Sequence, residues 1–310
     1  MRKYMGIDIG RVIFACLIPF LHIPFRDSTG IDIIRQYISR LGVPFFFAVS
    51  GMFLNRSIEK YGRTKALKRY MSRVGRVLLT WLLIYSPLLL YGAESYWKLI
   101  QQIFFKTPAF LWYLTSLMFA AVPFCLVKNR RVLYGCATIL YVAGTLFGET
   151  YKWLLGGVPW YESIFLTTRN GLFFGILLMC VGELTWKAEK KSIPLLIVSG
   201  LALIAEITYV GLHAQKLDDR SMYFLLPLFI YALVLVLREW NPKIVGKHLG
   251  GVSSAIYVMQ YGIITVGTMI FRIIGWDGAC VMWLVYIAVV SVPAAFYLVL
   301  RNTKIVKIIF

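Results

Sequence analysis

The 310-residue sequence has few charged residues, few acidic residues and few cysteines. Only 15% of its residues are charged, against about 25% in an average soluble domain, while 59% are hydrophobic. A soluble protein could not bury so much apolar surface, so this composition excludes a soluble globular domain. The same hydrophobicity excludes an intrinsically disordered chain, which needs a polar composition.

The five cysteines and three histidines form neither a Cys-x-x-Cys pair nor a spacing typical of a metal site. Because the cysteines all fall in apolar segments, they are expected to act as small packing residues. Neither a G-x-S-x-G nor an H-E-x-x-H motif occurs. We therefore expect no metal and no membrane-embedded hydrolase of those two types.

Long apolar runs are what the sequence does contain. A transmembrane helix needs about 20 mostly apolar residues, and these runs lack the alternation of membrane β-strands. Ten segments qualify: Gly6–Pro24, Leu41–Leu54, Val77–Gly92, Ala109–Val127, Val132–Gly148, Phe165–Leu184, Ile193–Leu212, Ser221–Leu237, Gly251–Ile274 and Ala279–Leu300. The sequence predicts one all-α membrane domain over residues 1–310, a polytopic bundle of about ten transmembrane helices in the lipid bilayer.

The basic residues indicate how this bundle is oriented. Lys and Arg number 33 and Asp and Glu 14, which gives a net charge of +19. With the N-terminus in the cytoplasm, 22 basic residues fall in cytoplasmic segments, 8 in outer segments and 3 within spans. This distribution follows the positive-inside rule and predicts that both termini are cytoplasmic. The positive charge therefore reports orientation, and we expect no nucleic-acid partner.

Ionisable residues inside spans are candidates for function, because they are costly in a bilayer. They are Asp8, Arg11, His22, Arg169, Glu183, Glu206 and Arg272. Arg272 and Glu183 lie near span ends, where their side chains are expected to extend to the interface. Arg169 and Glu206 lie deeper, where a structural ion pair and a role in a site are both open.

The first span combines three of these residues. Asp8 and Arg11 are neighbours on one helix face, while Asp8 is also placed to cap the helix start. Arg11 and His22 return to within about 20° of one face and lie ~16 Å apart along an ideal helix. They cannot contact one reacting atom. They either act on different parts of a long substrate or are both solvated at the interfaces. The two charged residues and the missing cleavage site predict a retained helix, not a signal peptide.

Five segments together resemble the acyltransferase-3 family of membrane proteins. The first is the Arg-x10-His spacing of Arg11 and His22, and the others are Val43–Leu54, Tyr70–Arg76, Leu111–Leu117 and Ser253–Gln260. Their order, spread over most of the chain, carries the resemblance. One departure is Gln260, which stands where many relatives have histidine and which does not titrate near neutral pH.

The resemblance implies an O-acyltransferase of the bacterial cytoplasmic membrane. Such proteins move an acyl group, commonly acetyl from acetyl-CoA, to a hydroxyl of a cell-envelope glycan or lipid-linked sugar. The catalytic role falls on His22, with Arg11 as the family arginine. From its spacing, Asp8 is expected either to orient Arg11 at this catalytic site or to cap the helix start. His22 would act as a general base or carry the acyl group covalently, and the sequence leaves both routes open.

Arginines at the cytoplasmic side are the expected donor-binding residues. Arg73 and Arg76, with Arg11, suit the phosphates of coenzyme A because guanidinium groups bind phosphate with two hydrogen bonds. Simple positive-inside anchoring is the alternative for Arg73 and Arg76. The expected lining of the substrate cavity is Tyr257, Gln260, Arg169 and Glu206.

Two further predictions concern packing. Ser50 and Gly51 are expected to permit close helix contact, and Trp112 and Tyr113 to lie in the aromatic belt at the outer interface. Two rival functions remain. A transporter or acyl-group conduit without transferase chemistry would use buried Arg169 and Glu206 as a polar path. A membrane module serving a fused enzyme is disfavoured, since the 310 residues contain no soluble domain.

Overall fold

The computed structural model describes residues 4–25, 29–91, 110–148, 150–155, 167–189, 192–213, 221–242, 248–276 and 278–310. Within these ranges the regular secondary structure is entirely helical, as the apolar runs predict. Ten α-helices there have twelve residues or more: α1 (Met5–Leu17), α2 (Gly42–Tyr61), α3 (Arg63–Tyr91), α4 (Trp112–Leu126), α5 (Arg130–Phe147), α6 (Ile176–Lys187), α7 (Ile193–His213), α8 (Leu226–Glu239), α9 (Leu249–Ile274) and α10 (Ala279–Leu300).

The ten helices follow the ten predicted apolar segments in order. Among the described residues, four helical stretches are long and apolar enough to cross a membrane: Gly30–Tyr61, Ile193–His213, Leu249–Ile274 and Ala279–Leu300. The chain is therefore a helical membrane protein. The count of ten crossings and the cytoplasmic position of both termini stay predictions.

The first helix ends earlier than the sequence suggests. Helix α1 stops at Leu17, and Ile18–Leu21 form a 3-10 turn that His22 closes. Pro19 has no N–H to continue the α-helical ladder. The uniform α-helical spacing that the prediction assumes between Arg11 and His22 therefore does not extend to His22.

The basic segment between the second and third apolar runs, residues 55–76, is helical apart from Gly62. Only Gly62 separates α2 from α3, with φ at +78°, and its N–H donates to the Ile58 carbonyl at 2.8 Å. Lys and Arg are good helix formers, which explains why the basic residues continue the helix. Their side chains are therefore held on a rigid surface beside the bundle.

Helices α2 and α6 cross closely because each has a glycine at the contact. A Cβ atom on Gly51 would collide with the backbone of Met179, and one on Gly182 with the backbone of Ala48. Small residues permit such backbone approach in membrane proteins. The structure thus confirms the packing role predicted for Gly51.

Glu183 in α6 is buried, and the prediction that it extends to the interface is wrong. Its side chain is 1% exposed and its Oε1 lies 3.1 Å from Arg130 Nε and 2.6 Å from Lys187 Nζ. Two cations offset the desolvation of this carboxylate. The resulting ion pair joins α5 to α6.

The α2–α6 crossing makes a prediction about stability. Gly182→Ala should lower the free energy of unfolding by about 1–3 kcal/mol, because the neighbouring backbone cannot move aside. The measurement is thermal unfolding of the purified protein in detergent. Gly135→Ala in α5 is the matched control. It meets no atom within 4 Å and should leave stability unchanged or raise it, since Ala favours a helix. Equal melting temperatures for both variants would contradict this packing.

Candidate active site

A cavity of about 500 Å³ lies among α1, α2, α3, α4 and α9. Three arginines line it: Arg11, Arg69 and Arg73. Arg69 and Arg73 are exposed, whereas Arg11 is half-buried. Positive charge therefore extends from the protein surface into the cavity.

Arg11 is held in place by groups from α1 and α9. Its guanidinium group donates to the Gly250 carbonyl at 3.2 Å and to Ser254 Oγ at 3.5 Å. Asp8 Oδ1 lies 3.7 Å from Arg11 Nη1. The structure brings the predicted Asp8–Arg11 pair together, and the contacts to α9 fix its direction.

Hydroxyl groups line another part of the cavity. Ser50 Oγ and the Tyr113 hydroxyl are hydrogen-bonded at 3.2 Å, and Tyr70 is a further lining residue. Tyr113 is only 7% exposed. The aromatic-belt position predicted for Tyr113 is therefore wrong, because the ring turns into the bundle. Ser50 likewise has a polar contact in addition to its predicted packing role.

Phe110 connects this cavity to His22. Tyr257 lines the cavity, and its hydroxyl donates to the Phe110 carbonyl at 2.8 Å. The Phe110 ring stacks on the His22 imidazole with centroids 3.7 Å apart and planes 12° from parallel. Phe110 has φ of +59°, the only positive φ of a non-glycine residue in the described part of the chain. Such a backbone costs roughly 1–2 kcal/mol, which these contacts offset.

Two arginines lie beside His22. Arg169 and Arg40 both act electrostatically on its imidazole. Arg40 Nη1 donates to Ser221 Oγ at 2.9 Å, and Arg169 Nη1 approaches the same oxygen at 3.4 Å. The predicted site residue Arg169 is thus close to His22, although neither of them lines the cavity of Arg11 and Arg73.

The arginines of α3 differ from the prediction in one position. Arg73 lines the cavity, as expected for a donor-binding residue, but Arg76 is not among the lining residues. Arg69 takes its place. The sequence offered a signal for Arg69, because it precedes Arg73 by four residues and so shares its helix face.

Gln260 is one of the four predicted cavity residues. It lies in α9 three residues after Tyr257 and is 1% exposed. It is not among the residues lining the cavity. Its position is deeper in the bundle than that of Tyr257.

Glu206 has a structural role in the described part of the chain. Its carboxylate accepts hydrogen bonds from the backbone N–H groups of Phe224 at 2.7 Å and Leu225 at 2.9 Å. The Tyr151 hydroxyl donates to it at 2.7 Å. These amides precede α8, so Glu206 satisfies the start of that helix. Glu206 is not among the lining residues of the cavity, and the prediction that it lines the cavity finds no support.

Comparison with known proteins identifies the family. Residues 4–300 match the model of the acyltransferase domain that defines the acyltransferase-3 family. The chain therefore belongs to the acyltransferase-3 family, as the five sequence segments predict.

Three curated relatives are named as racemases, which is a different activity from acyl transfer. A serine/alanine racemase of Enterococcus gallinarum is 28% identical over 83% of this chain and 40% of its own length. Two amino-acid racemases of Enterococcus faecalis are 25% and 31% identical, over 82% and 78% of this chain and 40% and 37% of their own lengths. The chain thus spans about two fifths of these relatives. No solved structure matches it.

The contacts of Glu206 predict a loss of stability on substitution. In Glu206→Gln, the new amide nitrogen cannot accept a hydrogen bond. At least one of the three groups that donate to Glu206 is then left without a partner, which should lower the free energy of unfolding by about 1–3 kcal/mol. Thermal unfolding in detergent should show a lower melting temperature, while the exposed Glu189→Gln serves as the control. An unchanged melting temperature together with lost acyl transfer would instead place Glu206 on a substrate path.

Proposed function

We propose that this protein is an O-acyltransferase of the bacterial cytoplasmic membrane. It would transfer an acyl group, acetyl in the simplest case, from acyl-CoA to a hydroxyl of a cell-envelope glycan or lipid-linked sugar. One observation carries the proposal. A cavity with three arginines is joined to the ring of His22 by two contacts, the hydrogen bond from Tyr257 to Phe110 and the stacking of Phe110 on His22.

The cavity suits the donor in size and charge. Its volume of about 500 Å³ falls within the roughly 300–1,000 Å³ of ligand sites. Arg69, Arg73 and Arg11 offer charge-assisted hydrogen bonds to the phosphates of coenzyme A. The two exposed arginines lie in the basic segment predicted to face the cytoplasm, where acyl-CoA is made.

His22 is placed to handle the proton of the acceptor. As the acceptor hydroxyl attacks the thioester carbon, a neutral imidazole takes the proton and later returns it to the sulfur of coenzyme A. Phe110 covers one face of the imidazole, whereas the nitrogen lone pair lies in the ring plane and is not covered by the stacked ring. The stacking is therefore compatible with this role. A covalent acyl-histidine remains the alternative route.

The acceptor side is proposed to be the surface around Arg40 and Arg169. These residues come from segments that do not line the donor cavity, and both act on His22. Arg40 and Arg169 both donate to the hydroxyl oxygen of Ser221. Two guanidinium groups held so close together favour an acceptor substrate with negative charge, such as a phosphate-linked sugar. Donor and acceptor would then meet at His22 from different directions.

A second candidate is a membrane module that works with an amino-acid-processing enzyme. It is favoured by the relatives, which are named racemases and are more than twice as long as the segment they share with this chain. Under that function no acyl-CoA would be consumed. The transporter is less supported, because the Glu206 carboxylate expected on its polar path is held by backbone amides and Tyr151.

The arginine assignment predicts which variants lose the donor. Arg69→Gln and Arg73→Gln should each weaken acetyl-CoA binding about tenfold or more, since each removes charge-assisted hydrogen bonds to phosphate. Arg76→Gln is the matched control, because the same charge is lost on the same helix outside the cavity lining. The measurement is isothermal titration of acetyl-CoA into the purified protein. Equal weakening by all three changes would indicate a general charge effect and contradict the assignment.

The assignment of His22 predicts a separation of binding from transfer. His22→Ala should retain acetyl-CoA affinity but lose acyl transfer by at least about 100-fold, the usual contribution of a general base. Mass spectrometry of envelope glycans from cells with each variant would show loss of one acyl group per modified sugar. His213→Ala, at the exposed end of α7, should keep the modification. Full modification with His22→Ala would refute the role.

A further inference from the structure

Gln260 is a buried amide without a partner. Its side chain is 1% exposed, and neither Oε1 nor Nε2 has a hydrogen-bond partner among the described residues. Burying such a group unpaired is unfavourable, and most buried polar groups in proteins are paired. An apolar residue of the same size would avoid this cost. The amide therefore points to a ligand that supplies the missing hydrogen bond.

The contacts between α1 and α9 locate Gln260 relative to the site. At one end of this helix pair, Arg11 reaches Gly250 and Ser254. Further along, Phe20 and Ile23 belong to the same buried cluster as Ile264. The sequence separation is nearly constant between the two contacts, so α1 and α9 run side by side in the same direction.

This register places Gln260 between the donor cavity and the level of His22. Gln260 follows the cavity residue Tyr257 by about 4.5 Å along the helix axis and precedes Ile264 by about 6 Å. Ile264 in turn belongs to the same buried cluster as Phe20 and Ile23, which lie on either side of His22 in the sequence. Along the axis of α9, the unpaired amide therefore lies between the arginine-lined cavity and the level of His22.

The face of α9 that carries Gln260 continues from the donor cavity. Ser253 lies seven residues earlier on this face and lines the cavity, while Ile256 and Ile264 on the same face are buried. Because Gln260 is itself buried, a hydrogen bond formed there acts in a medium of low polarity. Donors in such surroundings stabilise developing charge more strongly than donors in water.

We propose that Gln260 Nε2 donates a hydrogen bond to the thioester carbonyl oxygen as that oxygen becomes negatively charged. This role rests on the proposed acyl transfer. The acceptor oxygen forms a bond to the carbonyl carbon while its proton moves to His22. The carbon–sulfur bond then breaks, and the proton passes from His22 to the sulfur. Gln260 donates a hydrogen bond throughout and gives up no proton, so the transfer balances without it being consumed.

The test uses Gln260→Met in the full-length protein. Removing one oxyanion donor lowers turnover by about 100-fold or more. Transfer of radioactive acetyl from acetyl-CoA to membranes of a strain lacking the protein should fall by that amount, while acetyl-CoA affinity stays within about twofold. The melting temperature should stay equal or rise, because an unpaired buried amide is removed. Gln260→His, which keeps an N–H donor, should retain more transfer than Gln260→Met.

Ile256→Met, on the same buried face, is the matched control and should keep full transfer. A lowered melting temperature with Gln260→Met would assign Gln260 to packing and overturn the proposal. Undiminished acyl transfer by Gln260→Met would overturn the proposal too. So would an increased KM for the acceptor at unchanged kcat. If the wild-type protein binds acetyl-CoA but transfers no acetyl group, the proposed acyl transfer is refuted. The proposed role of Gln260 is then refuted with it.

Discussion

A guanidinium group inside an apolar helix bundle has to be satisfied by the protein, and the arrangement around Arg11 meets that requirement. Asp8 on the same helix and the Gly250 carbonyl and Ser254 hydroxyl on α9 surround the group. These contacts join the first helix to the ninth across most of the sequence. They also set the register that brings Tyr257 to the cavity and Gln260 to a deeper level.

Arg11 and His22 lie in different surroundings, on either side of the end of α1 at Leu17. Arg11 lines the cavity, whereas His22 stacks on Phe110, whose carbonyl accepts a hydrogen bond from the cavity residue Tyr257. This separation suits the proposed binding of a long donor such as acyl-CoA. His22 also lies next to Arg40 and Arg169 on the proposed acceptor side.

Local sequence patterns predicted much of the fold and less of the site. Apolar runs predicted ten helices, and the Arg-x10-His spacing with its companions predicted the family that residues 4–300 match. Periodicity along one helix says nothing about contacts between distant segments. It could not show that Glu206 holds amides 18 residues later. Nor could it show that Phe110 meets His22, because Phe110 is in an irregular turn far from His22 in the sequence.

We propose that the arginine-lined cavity holds the acyl donor with its thioester directed toward His22. Photo-cross-linking with a photoreactive acyl-CoA analogue, followed by peptide mapping, would locate the bound donor. Adducts are expected within residues 69–77 and 253–258, and excess acetyl-CoA should suppress them. Adducts confined to other helices, or adducts that acetyl-CoA does not suppress, would show that the donor does not bind in this cavity.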